Sequence, residues 1–275
     1  MWTLSGFADE ISSDLDEQID VVTDLGLKYI EFRTAWDKSV LDLDAAELQR
    51  ARSALDTAGL KVSSIGSPIG KIRISDDNGP HLERMQHALD VAKFFEAPFI
   101  RIFSYFIPED ENPDDHREEV VRRMRDLVAI AEGSGITLIH ENEKEIYGDI
   151  PRRCHDIVQA IDSPALKLTW DNANFVQCGV KPFTEGYQLL SPDVVYLQVK
   201  DARFADGVVV PAGEGDGEFR ESIRAFAADG FDGFASLEPH LQIGHALGGF
   251  SGPENWRRAH AAFVRVLQEE GIAYA

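Results

Sequence analysis

Eight strand-like segments alternate with eight helix-like segments along the whole chain, and this alternation limits the fold more than any other feature. The strand-like segments are short, apolar and rich in β-branched residues, as in a parallel sheet buried on both faces. The helix-like segments repeat apolar residues at three- and four-residue spacing, and several end at glycine. Eight such pairs in 275 residues predict a single (β/α)8 barrel, with one domain over residues 1–275. The predicted strands are 2–8, 28–34, 61–67, 98–106, 136–142, 166–175, 194–201 and 233–240.

A doubly wound open sheet is the alternative to the barrel. That fold usually carries a glycine-rich turn after its first strand, whereas this chain reads "SGFADEI", which is not GxGxxG. Longer connections follow the third, fourth and eighth predicted strands, at 68–80, 107–115 and 241–252. Since long connections often carry function, these three are candidate walls and lids of a site.

The charge of the chain limits its partners. The formal net charge is −21 and the pI is about 4.7, so the surface repels phosphate backbones and nucleic acid is not expected as a partner. Most of the 27 basic residues are arginine, and an acidic, lysine-poor surface indicates a halophilic source. The sequence has no apolar run long enough for a membrane span and no signal peptide, and its two cysteines lack metal-site spacing. We therefore expect a cytoplasmic protein with no membrane partner.

Three carboxylates follow predicted strands five, six and eight. They are Glu141, Asp171 and Glu238. In a (β/α)8 barrel the carboxyl ends of all strands meet at one mouth, so these groups should converge. Like charges at short range raise each other's pKa values, and a divalent cation would resolve that conflict. Carboxylate and amide oxygens favour Mn²⁺ or Mg²⁺, while Co²⁺ and Zn²⁺ remain compatible.

Several polar residues at or near the ends of these strands have two possible interpretations, one functional and one structural. Asp171 can instead cap the turn that follows it, as Asp often does. Glu143 can belong to a solvated charged run. Lys200 and Asp201 can form a buried structural ion pair. His240 alternates with Glu238 along the strand, so both can face one pocket.

Five motifs at predicted strand ends carry a resemblance. They read "HENEKEIYGD", "WDNANF", "VYLQVKD", "VPAGEGDGEF" and "SLEPH". Together they resemble the xylose isomerase-like TIM barrels described as sugar phosphate isomerases and epimerases. The resemblance implies a metal held by Glu141, Asp171, Gln198 and Glu238. Relatives usually carry histidine where this chain has Gln198, and the weaker amide ligand favours Mg²⁺ or Mn²⁺.

The resemblance also implies an enzyme and its chemistry. Glu141 and Glu238 would be the catalytic pair of a metal-dependent isomerase or epimerase, moving a proton next to a carbonyl through an enediolate. The substrate would be a sugar, sugar phosphate or polyol, and relatives are often homo-oligomers. The candidate substrate-binding residues are Glu143, Asn174, Lys200, Arg203, Glu214 and His240.

Three other functions fit parts of the sequence. An inosose-dehydratase-like lyase would use the same metal and base but expel a hydroxyl. A non-catalytic carbohydrate-binding barrel is favoured by Gln198, since a lost imidazole ligand weakens a metal site. A DNA repair enzyme of the endonuclease IV type needs a histidine-rich metal cluster and is disfavoured by the net charge of −21.

Overall fold

The computed structural model describes residues 1–242 and 249–275, and within them eight parallel strands form the predicted barrel. Around the sheet the order is β1-β8-β7-β6-β5-β4-β3-β2, and a bridge between Phe7 and Glu31 joins the two ends. The (β/α)8 prediction is therefore confirmed. The strands are β1 (Thr3–Gly6), β2 (Tyr29–Phe32), β3 (Lys61–Ile65), β4 (Phe99–Ile102), β5 (Thr137–Glu141), β6 (Leu166–Asp171), β7 (Val194–Val199) and β8 (Phe234–Leu237).

Helices surround the strands and begin and end at ordinary capping signals. In the second helix Asp44 and Glu47 form a capping box, and Gly59 ends it with φ of +69°. None of the described helices is long and apolar enough to cross a bilayer. The α-helices are α1 (Leu15–Asp24), α2 (Ala45–Ala58), α3 (Gly79–Phe95), α4 (Arg117–Ala131), α5 (Pro151–Ile161), α6 (Asn172–Gln177), α7 (Tyr187–Leu190), α8 (Phe219–Ala228) and α9 (Gly252–Glu269).

The predicted sixth strand was too long. It ends at Asp171, and residues 172–175 lie in α6. The reason is local, because the Asp171 side chain accepts a hydrogen bond from the backbone N–H of Asn174 and so caps a helix. The connection after β8, predicted as a candidate lid over 241–252, includes residues 243–248, which lie outside the described residues.

The ends of β5 to β8 bring the polar residues of the motifs together. Cα partners across neighbouring strands include Asp171 with Gln198, and Gln198 with Ser236. Because side chains alternate along a strand, Gln198 and Lys200 share one side, as do Ser236 and Glu238. The five sequence motifs thus surround a single mouth of the barrel.

Candidate active site

Three buried carboxylates meet at the mouth of the barrel. Glu141, Asp171 and Glu238 each offer an oxygen, and these oxygens all lie within 4.8 Å of one another. All three residues are at most 2% exposed. Asp171 uses one oxygen to cap α6 and turns the other toward Lys200, so it both caps the helix and joins the cluster.

Three buried cations lie against these carboxylates. The Lys200 ammonium is 2.6 Å from Glu238, 2.9 Å from Asp171 and 4.0 Å from Glu141. Nη1 of Arg101 is 3.0 Å from Glu141 and 3.3 Å from Glu238, so it joins the two carboxylates. Arg33 contacts Glu238 at 3.1 Å. These three side-chain cations therefore offset much of the repulsion among the carboxylates, a role that the sequence analysis gave to a divalent ion alone.

Aromatic rings hold the two arginines in place. The Arg33 guanidinium lies 4.3 Å from the centre of the Phe7 ring. The Arg101 guanidinium lies 4.6 Å from the same ring and 4.9 Å from that of Phe103. Both arrangements are cation–π contacts, which gain strength when water is excluded.

The surroundings separate the pKa values of the carboxylates. Burial is the main cause that raises the pKa of Glu141 to about 8, although Arg101 opposes it. Burial also raises the pKa of Asp171 to about 6, against the opposing charge of Lys200. For Glu238 the effect of burial is outweighed by the charge of Lys200, with Arg101 and Arg33 adding to it, and its pKa falls well below the ordinary value. A protonated and an ionised carboxyl side by side suit acid–base chemistry.

Gln198 lies beside Asp171 in the register of β6 and β7, and its amide is fixed from one side. Its Nε2 donates a hydrogen bond of 3.0 Å to Oε2 of Glu31. Its Oε1 is buried and has no hydrogen-bond partner. Glu31 is itself 1% exposed and also accepts hydrogen bonds from Tyr196 and Ser236.

The donor set fits a divalent cation. Three carboxylate oxygens lie close enough to share an ion, and such oxygens are the ligands that Mg²⁺ and Mn²⁺ prefer. Oδ2 of Asp171 and Oε1 of Gln198 are buried without a hydrogen bond. Oδ2 of Asp171 nevertheless lies 2.9 Å from the Lys200 ammonium, which is its partner in an ion pair. A second group, Glu10, Glu238 and His240, also has ligand atoms within 4.8 Å of one another.

A cavity of about 300 Å³ opens beside the cluster. Its lining includes Arg33, Arg101, Glu143, Glu238 and His240. Glu143 pairs with Lys71 at 3.1 Å. Burial would raise the pKa of Glu143, but the neighbouring lysines outweigh it and lower that pKa to about 2. A larger cavity of about 580 Å³ lies against Phe106 and Ile146, and none of the three clustered carboxylates lines it. We therefore place the candidate active site at the smaller cavity.

His240 closes one side of the smaller cavity. Its backbone N–H donates to Glu10 at 2.8 Å, and its Nε2 lies 3.5 Å from Glu10 and 3.7 Å from Glu238. Burial lowers the pKa of His240 to about 3, so its ring is neutral near pH 7. His240 therefore lies next to Glu238, as the alternation along the strand predicts.

Of the other candidate substrate-binding residues, two lie in the cluster and two pair elsewhere. Asn174 donates to Glu141 at 3.0 Å, and Lys200 is described above. Arg203 pairs with Asp206, and Glu214 pairs with Arg258, in both cases at exposed positions. Within the described residues, neither Arg203 nor Glu214 forms a hydrogen bond or salt bridge with the three carboxylates.

Asp201 has a structural partner other than Lys200. It accepts hydrogen bonds from the backbone N–H groups of Gly213, Gly215 and Gly217 and so holds the glycine-rich loop. A Cβ added at Gly215 would lie 2.5 Å from the Asp201 carboxylate, which explains why glycine is needed there. In the described part of the chain, Lys200 does not form the alternative ion pair with Asp201 and pairs instead with Glu141, Asp171 and Glu238.

Sequence reasoning gave no site role to Arg33, Arg101 or Glu31, although all three lie at strand ends. Two signals were available. Glu31 and Arg33 are two residues apart, so their side chains are expected on the same side of the chain. Arg101 lies on β4, which pairs with β5, the strand of Glu141. Sequence alone cannot tell whether a long arginine side chain folds into the mouth or extends into solvent.

Comparisons with known proteins give one family match. The model of the family described as "Xylose isomerase-like TIM barrel" matches residues 19–266. No curated protein is significantly similar in sequence.

Many solved structures share the fold. A D-tagatose 3-epimerase-like protein superposes with a TM-score of 0.78 at 17% identity, covering 98% of both chains. The IOLI protein, solved with a bound zinc atom, gives 0.80 at 16% identity and covers 98% of this chain and 99% of its own. A xylose isomerase-like protein from Mycobacterium smegmatis, solved with magnesium, gives 0.69 at 20% identity and 97% of both chains. At these identities the likeness shows the fold alone.

Proposed function

Since the chain belongs to the xylose isomerase-like TIM barrel family, we propose that it is a divalent-metal-dependent isomerase or epimerase. Its substrate is a sugar, sugar phosphate or polyol-derived ketone. The observation that carries this proposal is the meeting of Glu141, Asp171 and Glu238, each from a different strand end, within 4.8 Å. The epimerase-like, zinc-bound and magnesium-bound neighbours support the same chemistry.

The residues that would hold the ion are Glu141, Asp171, Gln198 and Glu238. Mn²⁺ or Mg²⁺ is favoured, because the donors are all oxygens and the set contains no imidazole. When bound, the cation supplies Lewis-acid stabilisation of the charge that develops on the substrate oxygens.

Glu141 and Glu238 are the proposed proton carriers. One carboxylate takes the proton from the carbon next to the carbonyl, which leaves an enediolate. The other carboxyl then gives a proton to the opposite face in an epimerase, or to the neighbouring carbon in an isomerase. Arg101 hydrogen-bonds to both groups and holds them in place, while their burial excludes bulk water. General acid–base help of this kind contributes about 10²–10⁴-fold to a rate.

Lys200, Asn174, His240 and Glu143 are the proposed contacts to substrate oxygens. Lys200 and His240 lie against Glu238, Asn174 against Glu141, and Glu143 on the cavity wall. Arg203 and Glu214 would contact the substrate only after the loops that carry them rearrange, since both pair with other residues.

Exchange in D₂O tests this function. Wild-type protein with Mn²⁺ is incubated with a panel of ketoses, and deuterium at the carbon next to the carbonyl is measured by NMR. We expect deuterium uptake without loss of water, and a fall of at least about 10²-fold in Glu141→Gln and Glu238→Gln. The control is Glu254→Gln, at an exposed position of α9, which should match wild type.

Two results would count against the proposal. Loss of a hydroxyl from the substrate would instead identify a dehydratase, the closest alternative in the sequence. No exchange with any ketose, together with binding of one of them, would identify a carbohydrate-binding barrel.

A further inference from the structure

An amide side chain offers a metal only one of its two ends. The carbonyl oxygen has lone pairs that can bind a cation, whereas the –NH₂ group donates hydrogen bonds and has no lone pair available for a metal. A glutamine in place of a histidine ligand therefore works only if the amide is held with its oxygen toward the ion. Free rotation about the last torsion would present either end.

In this structure the amide of Gln198 is held at its nitrogen. Nε2 donates to Oε2 of Glu31 at 3.0 Å, and Oε1 is buried without a partner. Gln198 and Glu31 are each 1% exposed, so water cannot take the place of this hydrogen bond. The opposite orientation would bring the amide oxygen against Oε2 of Glu31, which already accepts hydrogen bonds from Tyr196 and Ser236, so two acceptors would face each other.

The carboxylate that holds the amide is itself fixed. Oε2 of Glu31 also accepts a hydrogen bond of 3.1 Å from the Tyr196 hydroxyl and one of 2.7 Å from the Ser236 hydroxyl. Ser236 lies beside Gln198 in the register of β7 and β8. Glu31 cannot swing away from Gln198 without giving up these two hydrogen bonds as well.

We propose that Glu31 is a positioning residue of the metal site, which holds the amide nitrogen of Gln198 and so presents its oxygen to a divalent cation. This inference rests on the proposed function for the presence of the ion. It explains how the chain retains a fourth ligand at a position where its sequence lacks histidine. Partners of metal ligands commonly change metal affinity about 10–100-fold when removed.

A double-mutant cycle on Mn²⁺ binding tests the proposal. Metal-stripped protein is titrated with Mn²⁺ by calorimetry for wild type, Gln198→Ala, Glu31→Leu and the double variant. We expect each single variant to weaken binding about tenfold or more, and the double variant to bind no more weakly than Gln198→Ala. A carboxylate that attracted the ion only by its charge would still act in the Gln198→Ala background.

Two further variants guard the interpretation. Glu31→Gln keeps the shape of the side chain, so it serves if Glu31→Leu does not fold; its amide accepts either orientation of Gln198, and weaker Mn²⁺ binding is again expected. Tyr187→Phe is the control, because it removes a tyrosine hydroxyl that hydrogen-bonds a different carboxylate, that of Asp229, and leaves Glu31 and Gln198 untouched. Its Mn²⁺ affinity should stay within about twofold of wild type, a much smaller change than the loss of about 10–100-fold that is typical when a partner of a metal ligand is removed.

The outcomes separate this inference from the proposed function. Mn²⁺ binding that is unchanged in the Glu31 variants, or losses that multiply in the double variant, would overturn the role of Glu31 and leave the reaction standing. Wild-type protein that takes up no Mn²⁺ would overturn both the positioning role and the metal dependence. Deuterium exchange by that same metal-free protein would then show that the proton transfer itself survives.

Discussion

Lys200 is the residue on which the balance of charge at the barrel mouth most depends. Its ammonium lies within 4.0 Å of Glu141, Asp171 and Glu238, and the side chain is 3% exposed. Burial alone would lower the pKa of Lys200, but Asp171 and Glu238 outweigh it and raise that pKa well above the ordinary value. The lysine therefore stays charged, and it contacts the same carboxylates that we propose as metal ligands.

Lys200→Met should destabilise the protein and increase its response to metal. Removing one partner of a buried ion pair leaves the other charges uncompensated, which costs about 3–5 kcal/mol of unfolding free energy. An ion that binds only the folded state stabilises it. Added Mn²⁺ should restore more stability to the variant than to wild type, because the carboxylates no longer pair with Lys200 and their charges are free to bind the ion. Urea unfolding with and without millimolar Mn²⁺ measures both effects.

The control for that variant is Lys167→Met. Lys167 lies at the other end of β6 and pairs with Asp193 where both side chains are partly exposed, so its loss should cost about 0–1 kcal/mol. Equal stability of Lys200→Met and wild type would contradict a central role for the ammonium.

The connection from β3 to α3 forms a wall of the cavity through Pro68 and Lys71. Gly70 adopts φ of +91°, and a Cβ there would lie 2.0 Å from the backbone oxygen of Phe103, so only glycine fits. The Gly70 N–H donates to Nε2 of His81 on α3 at 2.7 Å. This contact requires a neutral imidazole, since a protonated Nε2 cannot accept a hydrogen bond.

The same contact predicts a pH dependence of stability. Burial, with smaller contributions from Arg84 and Arg123, lowers the pKa of His81 to about 4 from 6.5. Between these two values the unfolded chain binds the proton and the folded protein does not, so stability falls as pH falls from 6.5 to 4. The loss should be on the order of 1 kcal/mol after allowing for partial solvent access.

His81→Gln offers the test of that dependence. Its amide oxygen can accept from Gly70 and does not titrate, so the variant should lose less stability than wild type between pH 6.5 and 4. Urea unfolding across this range compares the two slopes. Parallel curves would mean that other groups carry the acid sensitivity.

The elements and the central carboxylates could be predicted from sequence, whereas several contacts could not. The helical and strand periods predict eight pairs, and the position of Glu141, Asp171 and Glu238 at strand ends predicts that they meet. The end of β6 was missed because one hydrogen bond of the Asp171 side chain decides it. The role of Arg101 depends on where a long side chain reaches between two phenylalanine rings, which no local pattern encodes.

The whole molecule carries 48 acidic and 27 basic residues, a formal net charge of −21. Many arginines form exposed ion pairs, such as Arg117 with Asp156 at 2.7 Å and Arg152 with Asp114 at 2.8 Å. Each such exposed pair contributes only about 0–1 kcal/mol, so these pairs do not cancel the repulsion among the excess carboxylates. Self-repulsion of this size opposes a compact fold at low salt.

Molar KCl should therefore raise the thermal unfolding midpoint. The Debye length falls from about 10 Å at 0.1 M to about 3 Å at 1 M, which screens repulsion between exposed carboxylates more than it weakens the buried pairs at the barrel mouth. Differential scanning calorimetry over a KCl series measures the midpoint, and an equimolar tetramethylammonium chloride series controls for specific K⁺ binding. Both salts should raise the midpoint by similar amounts if screening is the cause. A midpoint that is independent of salt would contradict both the electrostatic argument and the halophilic interpretation of the sequence.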